Sequence, residues 1–147
     1  MKTYRRILVA TDLSPSSMPG FREALDVAAE SGAELLIAYA YQPPGLTQAQ
    51  AIAPVVYDEW DQNLRTGVEA KLEPLVQQAR ERKINARPLI LRGSPNEAIS
   101  EAAKDNDVDL IIMGSHGRTG FSRLIQGSVS SHVAATATCP VMTVPIA

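Results

Sequence analysis

Short apolar runs alternating with longer segments of helical periodicity predict an α/β fold, an open doubly wound sheet of five parallel strands with helices on both faces. Two further observations support it. The runs are apolar at successive positions rather than at every second one, the pattern of strands covered on both sides. The chain has 147 residues, 45% of them hydrophobic, which suits one domain over 1–147 with a single core.

The elements follow in the order βαβαβαβαβ. Ile7-Leu8-Val9-Ala10 reads as the first strand, and Phe21, Ala24, Leu25, Ala28 and Ala29 form one face of the first helix, with Gly32 placed to cap its end. Leu35 to Ala40 reads as the second strand. Residues 42 to 54 have no clear periodicity and are longer than an ordinary strand-to-helix connection, so they read as either a flap beside a site or a plain surface loop.

A long second helix follows from about residue 56 to 82. Tyr57, Trp60, Leu64, Val68, Leu72, Leu75, Val76 and Ala79 recur every three or four residues, as a core-facing stripe would, and Pro74 is expected to kink the helix. Pro88-Leu89-Ile90-Leu91 forms the third strand. Ser94-Pro95-Asn96-Glu97 has the pattern of a capping box with proline at the first helical position, continuing through Ala98, Ile99, Ala102 and Ala103. Asp109 to Met113 gives the fourth strand, Ser128 to Ala137 the last helix, and Val141 to Val144 the last strand.

Composition excludes several classes of function. Sixteen acidic against fourteen basic residues, with no block of like charge, argue against nucleic-acid binding by bulk electrostatics. A single cysteine, Cys139, cannot form an internal disulfide, and with only His116 and His132 it cannot make a Cys/His structural zinc site. Cys139 precedes Pro140 and reads as a small hydrophobe. No apolar run approaches a signal-peptide core or a membrane span, so a cytoplasmic protein without a membrane partner is expected.

Chemistry concentrates after the fourth strand. Four of the nine glycines fall between Gly114 and Gly127, in a strand, glycine loop, helix arrangement. Glycine lets backbone N–H groups approach an anion, and a helix N-terminus adds unpaired donors, so phosphate is the anion expected here. There is no Gly-Lys-[Ser/Thr], and the spacing is not G-x-G-x-x-G, so neither a P-loop nor a dinucleotide fingerprint is present. What stands is Gly114-Ser115-His116-Gly117, nine residues, then Gly127-Ser128: G-x2-G-x9-G-S.

With this pattern the chain resembles the universal stress protein family, in the subgroup that carries the ATP-binding pattern G-x2-G-x9-G-[Ser/Thr]. The resemblance runs over essentially the whole chain: Ile7-Leu8-Val9-Ala10-Thr11-Asp12 with Ser14, Gly93-Ser94-Pro95, Asp109 through Gly120, Gly127-Ser128-Val129 and Cys139-Pro140-Val141. It implies strand order 3-2-1-4-5, of the adenine nucleotide alpha hydrolase type, with ATP across the carboxyl ends of strands 1 and 4. Ligands of open α/β sheets sit at such a switch point, where Asp12 and Gly114 follow their strands.

Carried over by position, the resemblance implies that Gly114, Gly117, Gly127, Ser128 and Val129 line ribose and phosphates, with the Ser128 and Ser130 hydroxyls in reach. Asp12 would lie near ribose or a metal-phosphate group, and Ala40, smaller than the family's common valine, would contact adenine. Thr11, Met113, Ser115, His116 and Arg118 complete the nucleotide-binding set. The metal, Mg2+ or Mn2+, would be held mainly by phosphates and water.

Each residue also has a plainer reading. Asp12 can cap a turn, the glycines can serve loop shape alone, and His116, Arg118 and Arg123 can be solvated loop residues. No residue is assigned as catalytic, and weak ATP hydrolysis is the most expected.

Three functions follow: an ATP-binding regulatory module of the stress response, a slow ATPase or phosphotransferase using the same site, or a nucleotide-independent dimeric scaffold. A homodimer through Val141 to Val144 is implied by the resemblance, with a protein partner of unspecified identity.

Overall fold

The computed structural model describes residues 3–41, 54–114 and 127–145. Strand β1 (Arg6–Ala10) leads through a short 3-10 turn (Pro15–Ser17) into helix α1 (Met18–Ser31). Strand β2 (Glu34–Tyr41) precedes the long α2 (Pro54–Glu81), and β3 (Ala86–Arg92) precedes α3 (Pro95–Asp105). Strand β4 (Leu110–Gly114), α4 (Gly127–Thr136) and β5 (Val141–Val144) complete the order.

The strands form one sheet in the order β3-β2-β1-β4-β5, and every pairing is parallel. Alternation along each strand divides the core. Ile7, Val9, Leu35, Ile37, Leu110 and Ile112 face α1 and α2, where they meet Phe21, Ala24, Leu72 and Val76. Leu8, Ala10, Leu36, Ala38, Ile111 and Met113 face α3 and α4, where they meet Ile99, Ala103, Val129 and Val133. Burial on both faces is why these strands read as continuous apolar runs.

The helix ends follow local chemistry. Gly32 adopts φ 69°, ψ 26°, and its N–H bonds to the Ala28 carbonyl, a left-handed cap for which glycine carries no Cβ penalty. Ser94 sits at the N-cap of α3 with Pro95 at the first helical position, as expected, yet its hydroxyl makes no cap bond. The Glu97 N–H that a capping box would satisfy donates instead to the Ser94 carbonyl at 3.2 Å, alongside the Ala98 N–H at 2.8 Å.

Helix α2 corrects part of the expected stripe. Val68, Leu72, Leu75, Val76 and Ala79 are buried, but Trp60 is 43% exposed and Leu64 only half-buried. The cause is length. At about 1.5 Å per residue this helix is far longer than any strand at about 3.3 Å per residue, so its first half runs beyond the sheet. The side chain of Tyr57 and residues 42–53 lie outside the described residues, and with them all but Pro54 of the stretch 42 to 54 read as a flap or a surface loop; Pro54 begins α2. The helix is continuous through Pro74.

Polar contacts fasten the amino end of the sheet. The Asp109 carboxylate accepts the backbone N–H groups of Arg5 and Arg6 at 2.9 and 3.1 Å. Glu34 pairs with Arg6 at 2.7 Å and with Arg87 at 3.6 Å. These groups are partly exposed, so each pair is worth on the order of 1 kcal/mol or less.

Candidate functional site

The strand order places a switch point between β1 and β4. From β1 the chain turns to α1 on one face, and α4, which follows β4, packs on the other, so a crevice opens where the two connections diverge. Register sets the levels. Val9 pairs with Ile112 and Ala10 with Ala38. Counting on two residues brings Thr11 level with Gly114 and Asp12 level with Ala40, so the predicted residues of three strands meet at one end of the sheet.

Thr11 is completely buried and acts on the turn itself. Its N–H donates to the Ala38 carbonyl at 2.9 Å, extending the β1–β2 ladder, and its Oγ1 accepts the Leu13 N–H at 3.0 Å and lies 2.8 Å from the Ser17 hydroxyl. Leu13 is thereby held at φ 68°, a left-handed conformation uncommon for a leucine.

Asp12 is the next residue, and both its readings have a place. Its Oδ1 accepts the Ser14 N–H at 2.9 Å and the Ser14 hydroxyl at 2.5 Å, the local turn that aspartate favours. Its Oδ2 has no hydrogen-bond partner among the described residues. The turn fixes the carboxylate while leaving one oxygen to take a donor.

Ala40 is half-buried, and alternation with Ala38 puts it on the α3/α4 face. Met113 is completely buried in the core of that face, so it offers the crevice backbone only. Gly114 ends β4 opposite Val144 and is buried. Gly127, Ser128, Val129 and Ser130 are the first four residues of α4 as described. The first four N–H groups of a helix lack intrahelical acceptors, which is the donor set an anion needs. Val129 is buried against Val133 and anchors that turn to the core. Ser115, His116, Gly117 and Arg118, and with them Arg123, lie outside the described residues, as do the side chains of Ser128 and Ser130.

Two residues with no motif signal join the crevice on its α1/α2 side. Tyr39, one residue before Ala40, and Lys71, on α2, line a cleft of about 500 Å3 together with Asp12, Leu13, Met18, Pro74 and Leu75. Lys71 carried no sequence signal because it lies in the helical stretch as an ordinary polar position; only the docking of α2 brings it beside β1 and β2.

Cys139 is half-buried before β5, and burial first, then the Asp109 carboxylate, push its thiol pKa up from the usual value. A raised thiol pKa is the opposite of what a reactive thiolate requires. Among the described residues no group of three His, Cys, Asp or Glu side chains is placed to hold a metal ion, and no helix is long and apolar enough to cross a membrane.

Known proteins share this fold. The family model described as the universal stress protein family matches residues 3–145. The chain is 31% identical over 147 residues to the universal stress protein YxiE of Bacillus subtilis, covering 96% of this chain and 99% of YxiE. UspA from Lactobacillus plantarum superposes with a TM-score of 0.80 at 26% identity over 98% of this chain and 99% of that one. A universal stress protein crystallised in complex with cAMP superposes at 0.66 with 27% identity, covering 97% of this chain and 98% of that one. With the family model matched over nearly its whole length and the sheet order in agreement, the chain belongs to the universal stress protein family.

Proposed function

We propose that this protein binds ATP, with Mg2+ or Mn2+, across the carboxyl ends of β1, β2 and β4, and acts as a nucleotide-dependent regulatory module of the stress response. One observation carries the reading: the G-x2-G-x9-G-S run joins the end of β4 to the start of α4 at the sheet's switch point, with Asp12 and Ala40 level with each other beside it. Backbone donors of the glycine run and of the first turn of α4 suit the phosphates. Asp12 Oδ2 suits the ribose hydroxyls, and the end of β2 at Ala40 suits the base. The relative bound to cAMP supports an adenine nucleotide as the ligand class.

The metal in this reading is carried mainly by the phosphates and water. Bound metal would neutralise phosphate charge. No residue of this chain is assigned to catalysis. Asp12 is committed through Oδ1 to Ser14, and turnover at saturating ATP should be slow and unchanged in both Asp12→Ala and Arg118→Ala; a large loss of the saturated rate in either would favour the ATPase reading.

The protein is further proposed to be a cytoplasmic homodimer. Strand β5 is an outer edge of the sheet, and a second copy would cover its unpaired backbone groups. Elution as a monomer in gel filtration would contradict this.

Displacement of a fluorescent adenine nucleotide by ATP tests the site. Asp12→Ala should weaken ATP about tenfold, the loss of a charge-assisted hydrogen bond. Equal affinity in wild type and variant would remove Asp12 from the site, and no displacement from wild type at millimolar ATP would favour the nucleotide-independent scaffold.

A further inference from the structure

Apart from Asp12, the cleft between α1 and α2 is lined by residues the nucleotide reading does not use. It measures about 500 Å3 and is lined by Asp12, Leu13, Met18, Tyr39, Lys71, Pro74 and Leu75. Sites for small organic ligands commonly fall in this size range and pair apolar walls with a few placed polar groups. Here Leu13, Met18, Tyr39 and Leu75 provide the walls, and the polar groups are one cation and one anion.

Lys71 is exposed and makes no ion pair among the described residues. It borders the cleft with Asp12, yet the two do not bond to each other. An ammonium without an ion-pair partner among the described residues, beside the apolar side chains of Leu13, Met18 and Leu75, matches a ligand carrying an anion on an apolar body. Leu13 adds a second sign. It is held at φ 68° by the Thr11 hydroxyl, and such left-handed residues cluster at ligand sites.

The cleft is on the opposite face from the start of α4. Tyr39 packs with the α1/α2 core, whereas α4 and its Val129 belong to the α3/α4 core. A nucleotide whose phosphates lie at α4 therefore leaves this space to another molecule. The geometry points to a second small-molecule site, in which a small apolar organic acid rests on Tyr39 and Leu13 with its anion on Lys71, while Asp12 at the border stays with the nucleotide.

The test uses 8-anilinonaphthalene-1-sulfonate, which has an aromatic body, a sulfonate and one N–H, with the uncharged N-phenyl-1-naphthylamine as its control. Folded wild-type protein should bind the sulfonate saturably, with fluorescence read at equilibrium. Lys71→Met should weaken the sulfonate about tenfold, and Lys71→Arg should restore it. The uncharged probe should bind wild type and Lys71→Met alike. Bound sulfonate should persist in saturating ATP and Mg2+, whether or not ATP itself binds. Unsaturable binding to wild type, equal affinity in wild type and Lys71→Met, equal loss of both probes, or full displacement by ATP would each overturn the assignment. Lys71 is an exposed helical residue, so these variants keep the fold, and circular dichroism checks this.

Discussion

The hydroxyls of Thr11 and Ser17 lie 2.8 Å apart in the interior, joining the end of β1 to the turn that begins α1. Since Thr11 Oγ1 also accepts the Leu13 N–H, one buried oxygen shapes the whole connection on which Asp12 is carried. Sequence position alone suggested that Thr11 lines a ligand; its contacts make it the residue that aims its neighbour.

Replacing Thr11 by valine keeps the shape and removes the hydroxyl. The Leu13 N–H and the Ser17 hydroxyl then lose a partner, at a cost of about 1–3 kcal/mol. Thr11→Ser should retain most of the stability. Urea unfolding of the three proteins checks this, and equal midpoints for Thr11→Val and wild type would show that the connection does not depend on this oxygen.

The end of α2 holds a second prediction. Lys83 is exposed at φ 64°, with Ile84 N–H bonded back to the Ala79 carbonyl, the closing geometry in which helices favour glycine. Lys83→Gly should therefore raise stability by about 1 kcal/mol, because the left-handed conformation no longer opposes a Cβ. Thermal unfolding measures it; a fall in the midpoint would mean that the lysine side chain contributes more than its backbone costs.

How much of this was readable beforehand depends on how far apart the determining residues lie. The apolar runs of β1, β2 and β4 and the cap at Gly32 are set by neighbours in sequence, and they appear as expected. The crevice was legible too, because Asp12 follows β1, Gly114 ends β4 and the sheet order brings those strands together. Trp60 was misread as core because periodicity reports a helix face but not where the sheet beneath it ends. Leu13 at positive φ had no sign in its own identity, since Thr11 imposes it. Tyr39 and Lys71 share a cleft only through the docking of α2, a relation between residues 32 positions apart that no local pattern encodes.

Cys139 gives a prediction in pH. Its thiol pKa is raised in the folded protein by burial and by Asp109, so the folded state favours the protonated form. As pH rises past the unfolded thiol's pKa, the unfolded chain loses its proton first, and the thiol's contribution to stability declines from there until the folded pKa is passed. Alkylation by iodoacetamide should accordingly be slower in the folded protein than in urea-unfolded chain near pH 9. Faster reaction in the folded state would mean an activated thiolate and contradict the structural role.

The central claim is adenine nucleotide binding at the switch point, and calorimetric titration of nucleotide-stripped protein with ATP and Mg2+, with GTP for comparison, tests it most directly. Saturable binding of one ATP per chain, with weaker GTP, is the expected result. No heat at millimolar ATP would contradict it, and the glycine run between β4 and α4 would then be architecture alone.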